Sequence, residues 1–137
     1  MKLENQVCTL EQAKILSALG LKDGSVFAWK CNEIQNVIVP CQFADWSERF
    51  VSFIGNKFYP AFTAAELIKM NAGNGGIDIG CTKESKGKFY MQTGGFGENK
   101  PEFTYYDSFA QASAAKLINA LENEWLDVET CNSRLVE

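Results

Sequence analysis

Ser108-Phe109-Ala110-Gln111-Ala112-Ser113-Ala114-Ala115-Lys116-Leu117-Ile118-Asn119-Ala120-Leu121 decides how this chain is built. A hydroxyl residue is followed three positions later by Gln. Ala110, Ala114, Leu117, Ile118, Leu121 and, beyond the quoted stretch, Trp125 then keep one apolar stripe. Such spacing predicts an amphipathic helix over residues 109–126, opened by a capping box whose two side chains satisfy backbone N–H groups left free at a helix start.

The same grammar occurs twice upstream. Thr9-Leu10-Glu11-Gln12 opens a helix expected over 10–19, with Leu10, Ala13, Leu16 and Leu19 on one side. Gly20 follows as the left-handed stop, and Leu21 is placed to fold back on Leu16. Thr63-Ala64-Ala65-Glu66 opens a short helix near 64–71, reinforced by a hydrophobic staple between Phe62 and Leu67. It stops at the Gly/Asn cluster Asn71–Gly76.

Between the boxes the pattern is that of short strands. Ser25–Cys31 places Phe27 and Trp29 on one face, and Ile34–Val39 is a second strand ended by Pro40. Arg49–Ile54 and Lys57–Tyr59 flank Gly55-Asn56, a two-residue hairpin turn. Ile77–Cys81, Lys88–Gln92 and Glu102–Tyr106 complete the set. The predicted class is α+β: one domain spanning 1–137, with five to six short, mostly antiparallel strands in a single sheet. The two main helices, 10–19 and 109–126, are expected on one face of that sheet.

Composition limits function more than it suggests one. At 137 residues the chain can bury roughly 65–70% of its unfolded surface in one core. Net charge is −4, and residues 101–137 hold 7 acidic against 2 basic side chains. That balance disfavours nucleic acid and anionic membrane as partners. Met1–Gln6 has no apolar run, so neither a signal peptide nor a membrane anchor is expected. Cys8, Cys31, Cys41, Cys81 and Cys131 are odd in number and scattered, which points to reduced thiols in a cytoplasm.

There is no histidine, which removes Ser-His-Asp and Cys-His catalysis and any His-containing metal site. Cysteine separations of 23, 10, 40 and 50 residues form no metal knuckle, so neither metal nor cofactor is expected. Cys31 and Cys41 are the thiols to weigh for reactivity, although Lys30 and Cys31 face opposite sides of a strand. Asn71–Gly76 follows a helix and precedes a strand, the reverse of a phosphate loop's order. Gly94–Gly97 is turn chemistry that displays Phe96. Trp46 beside Arg49, together with Phe96, are the candidate protein-contact residues, since Trp and Arg are enriched in binding hot spots. No catalytic residue is assigned.

Val7-Cys8-Thr9-Leu10-Glu11-Gln12-Ala13-Lys14, Tyr59-Pro60-Ala61-Phe62-Thr63-Ala64-Ala65-Glu66-Leu67 and Ala114-Ala115-Lys116-Leu117-Ile118 together resemble small proteins of prophages and other mobile elements of anaerobic gut bacteria. The resemblance lies in helix caps and core stripes, and it carries over no catalytic or binding residue. It identifies a lineage without implying an activity; the leading expectation is a small non-enzymatic accessory protein that acts by binding another protein, from host or phage. The alternatives are a small enzyme using carboxylates or a cysteine, and a virion or assembly subunit.

Overall fold

The computed structural model describes residues 2–22, 24–40, 57–71, 78–80, 88–93 and 102–135. It is α+β. A 3-10 turn, Leu3–Asn5, leads into helix α1, Leu10–Ala18, and strands β1, Phe27–Cys31, and β2, Asn36–Pro40. Strand β3, Lys57–Pro60, precedes α2, Ala64–Met70. Strands β4, Asp78–Gly80, β5, Phe89–Thr93, and β6, Glu102–Tyr106, lead to α3, Phe109–Glu122, and α4, Val128–Leu135.

All three helices start at the predicted hydroxyl caps, but only two of the three predicted boxes close. Thr9 and Thr63 make complete capping boxes with Gln12 and Glu66. Ser108 accepts from the Gln111 N–H, but the Gln111 side chain accepts from Asp107 N–H instead of closing the box on Ser108. The stop of α1 is a full Schellman motif: Gly20, at φ 107°, donates to the Ser17 carbonyl and Leu21 to that of Leu16.

The expected single sheet is two. Among the described residues, β2-β1-β3 form one antiparallel sheet and β4-β5-β6 another, with no ladder joining them. Helices separate what sequence spacing runs together. α3 packs on β4, β5 and β6, while α1 packs on β3 and on α3, so the two main helices do not share one sheet face. Pro40 is the last residue of β2 and pairs with Phe27; on that outer strand its missing N–H is tolerated. Asp78–Gly80, Phe89–Thr93 and Glu102–Tyr106 lie where strands are expected.

The third helix is shorter than its apolar stripe. It ends at Glu122 in a second Schellman motif, with Trp125 donating to the Ala120 carbonyl at 2.8 Å and Glu124 to that of Leu121 at 3.2 Å. Glu124 takes the left-handed position at φ 59°, which glycine fills more cheaply. The turn redirects the chain into α4, which sequence periodicity does not reveal. Trp125, read as part of the core stripe, is 58% exposed.

The core lies between the helices and the first sheet. Phe62, Leu16, Leu67, Met70, Leu117 and Val7 are fully buried in one cluster, with Trp29 and Cys131. Phe62 and Leu67, the pair expected to form the staple, are both fully buried in that cluster. Polar side chains lock distant elements together. Trp29 Nε1 donates to the Cys8 carbonyl at 3.0 Å, and Gln12 Nε2 donates to the Gln111 carbonyl at 2.8 Å. Glu66 accepts from Ser25 Oγ at 2.8 Å and from the Val26 N–H at 3.2 Å. Asn132 of α4 accepts from the Lys22 N–H and donates to the Gly20 carbonyl, and Arg134 Nη1 donates to the Met70 carbonyl.

Candidate functional site

The residues singled out from sequence as protein contacts, Trp46, Arg49 and Phe96, lie outside the described residues, as do Cys41, Cys81 and the Gly55-Asn56 turn. What the described residues bring together instead is an aromatic outer face on the second sheet.

Strand alternation builds that face. In β5, Phe89 and Met91 point to α3: Met91 is buried, and the Phe89 ring meets Phe109 edge-on at 5.7 Å. Tyr90 therefore points the other way, and its register partner on β6 is Tyr105. Phe103, two residues earlier on β6, shares Tyr105's face and meets the Tyr90 ring edge-on at 5.4 Å. Phe103 and Tyr105 are 46% and 51% exposed. Tyr106, on the inner side, has its phenol pushed up by burial.

β6 is an outer strand of this sheet among the described residues. Its five residues, Glu-Phe-Thr-Tyr-Tyr, contain no Lys and no Pro, and its register on β5 runs through without a bulge. Those are the devices by which proteins usually blunt a strand edge. The strands β4, β5 and β6 carry no Lys or Arg at all. The nearby Lys88–Asp107 pair, at 3.5 Å, is well exposed and contributes little.

Cavities among the described residues lie elsewhere. One, of about 380 Å³, is where the starts of α2 and α3 meet, lined by Thr63–Ala65, Phe89, Asp107–Ala110 and the Asn5-Gln6 turn. Another, of about 320 Å³, is at the corner between α3 and α4 and includes Glu124 and Asp127. Among the described residues, neither wall carries a cysteine.

The described thiols are all made harder to ionise by their surroundings. Burial pushes the Cys8 thiol up to about 12, with the Glu66 charge acting in the same direction. Cys31 and Cys131 are also raised, chiefly by burial. The basic neighbour that could activate Cys31 is Lys14 of α1, a contact invisible in sequence, and its attraction is outweighed by burial. Among the described residues no group of three or more Cys, Asp and Glu could hold a metal ion.

A pH dependence follows from Cys8. The unfolded thiol ionises near its ordinary 9.0, whereas the folded one holds its proton to about 12. Stability from this group is therefore complete below pH 9 and is lost as pH rises from about 9 toward 12. Replacing Cys8 by Ala should flatten that alkaline decline in urea titrations taken across the window. An identical decline in the variant would contradict a buried, protonated Cys8.

No helix among the described residues is long and apolar enough to cross a membrane. Comparison with known proteins returns no matching family model, no matching curated protein and no matching solved structure.

Proposed function

We propose that this chain is a small non-enzymatic accessory protein of phage or mobile-element type that works by binding another protein. The lineage is supported by the capped segments described above. The mode of action is supported by one observation: β6 is an outer strand among the described residues, and its exposed aromatic side chains are Phe103 and Tyr105. An extended segment of a partner would add to that edge by main-chain hydrogen bonds. Its alternate side chains would pack on Phe103, Tyr105 and Tyr90, which is strand addition. In this reading the protein works in the cytoplasm, with its thiols reduced.

The lack of cationic residues on the second sheet separates this surface from a single-strand nucleic-acid platform, which needs both stacking rings and a positive groove. The same edge also favours a second reading, the assembly subunit. Antiparallel pairing of two β6 strands about Thr104 would set Phe103 opposite Tyr105 and Glu102 opposite Tyr106, with no like charges facing. The test is a Phe103→Lys, Tyr105→Lys double variant. Wild-type protein should retain a defined partner from host lysate, or self-associate with concentration in light scattering, and the variant should lose either by about tenfold or more. Partner capture and oligomeric state unchanged by the variant would overturn the surface.

A further inference from the structure

Where α3 gives way to α4, the chain forms an open groove of about 320 Å³. Leu19 from the end of α1, Leu121 from α3, and Leu126 and Val128 from the turn supply its apolar walls, while Glu124 and Asp127 stand in the same lining. The turn that carries them is tightly bonded. Its Schellman bonds fix Glu124, and Asp127 Oδ2 caps α4 by accepting from the Thr130 N–H and hydroxyl at 3.3 and 3.2 Å. Trp125, 58% exposed, sits between the two carboxylates in sequence.

Charge along this stretch of chain has one sign. Glu122, Glu124, Asp127 and Glu129 are all exposed, and from Leu117 to Ser133 the chain holds no Lys or Arg. A groove whose lining is part aliphatic and part acidic disfavours acidic segments and is complementary to one that alternates aliphatic and cationic side chains.

We propose that this groove docks a basic, amphipathic segment of a partner protein, with an aliphatic side chain among Leu19, Leu121, Leu126 and Val128 and Lys or Arg reaching Glu124 and Asp127. The inference rests on the reading of the chain as a binding protein, but it uses a surface other than β6, so the two fail separately. The segment is defined by chemistry: a cationic amphipathic helix or turn with a Leu- or Ile-sized anchor.

The test uses labelled helical peptides of about 14 residues built from Leu and Lys, and matched peptides of Leu and Glu, followed by fluorescence anisotropy on the full chain. The Leu/Lys peptide should bind, and weaken about threefold or more when salt rises from about 50 to about 200 mM. Glu124→Gln with Asp127→Asn should weaken it about fivefold or more, since Asn preserves the α4 cap while both charges go. Glu124→Gly gives an independent arm. It relieves the left-handed strain and should raise Tm by about 2–4 °C while still weakening the peptide, which separates loss of charge from loss of fold. The Phe103→Ala, Tyr105→Ala variant, which leaves the charge unchanged, should bind the peptide as well as wild type. Absence of binding, equal binding of the Leu/Glu peptide, or indifference to the Glu124 and Asp127 substitutions would overturn the proposal.

Discussion

Phe62→Ala is expected to cost about 3–5 kcal/mol of folding stability, a large part of the ~5–15 kcal/mol of a typical domain. The ring is fully buried beside Leu67, Val7 and Trp29, and it stands just ahead of α2, at the position of the expected staple. Its carbonyl accepts the Cys8 N–H at 2.9 Å, so the residue also anchors the incoming N-terminal segment. Truncation removes apolar burial, leaves a cavity and loosens that entry at once. Urea titration reads the cost as a drop in midpoint with little change in slope. Ile68→Ala on the same helix is the control: Ile68 is 52% exposed, so its loss should change stability by no more than about 0.5 kcal/mol. Equal effects at the two positions would contradict the placement of the core.

Glu66→Ala should be the most damaging polar substitution, at about 2–3 kcal/mol, compared with about 1 kcal/mol for Thr63→Ala. The difference comes from reach. The Glu66 carboxylate takes the Thr63 N–H at 2.8 Å to close its own box, then the Ser25 hydroxyl and the Val26 N–H at the approach to β1. Glu66→Gln keeps one oxygen and turns the other into a donor facing a donor, so it should fall between Ala and wild type. Gln12 is the mirror case. Its oxygen closes the first box on the Thr9 N–H, and its amide nitrogen donates to the Gln111 carbonyl, so Gln12→Glu puts an acceptor against an acceptor. Chemical denaturation of the four variants gives the order directly, and a Glu66→Ala cost no greater than that of Thr63→Ala would contradict the cross-element role.

These two residues also show where sequence reading stops. A capping box is local, so Thr9, Thr63 and Ser108 are legible from three-residue spacing alone. Whether the box carries Glu or Gln is set by a second partner tens of residues away, and nothing local reports that partner. Strand positions are legible for the same reason as the caps, and pairing is not. Lys57–Pro60 joins β1, whereas among the described residues β4, β5 and β6 pair only with one another, with α3 covering one sheet and α1 reaching the other.

Helix ends divide in the same way. Gly20 announces its left-handed φ, whereas Glu124 adopts one without any sequence signal, so α3 reads too long and α4 goes unseen. The aromatic face had a signal of its own. Glu102–Tyr106 contains no Leu, Ile or Val, and aromatics on both faces of a strand are poor core material unless one face is left for contact.

The central claim is that the outer edge of β6 is available for an added strand. Amide hydrogen exchange of the native protein, resolved residue by residue across Glu102–Tyr106, tests it without requiring a partner. Residues bonded to β5 should exchange slowly and those pointing outward quickly, giving an alternating pattern along the strand. Uniform protection of all five amides would mean that the edge is already paired, and strand addition at β6 would have to be abandoned.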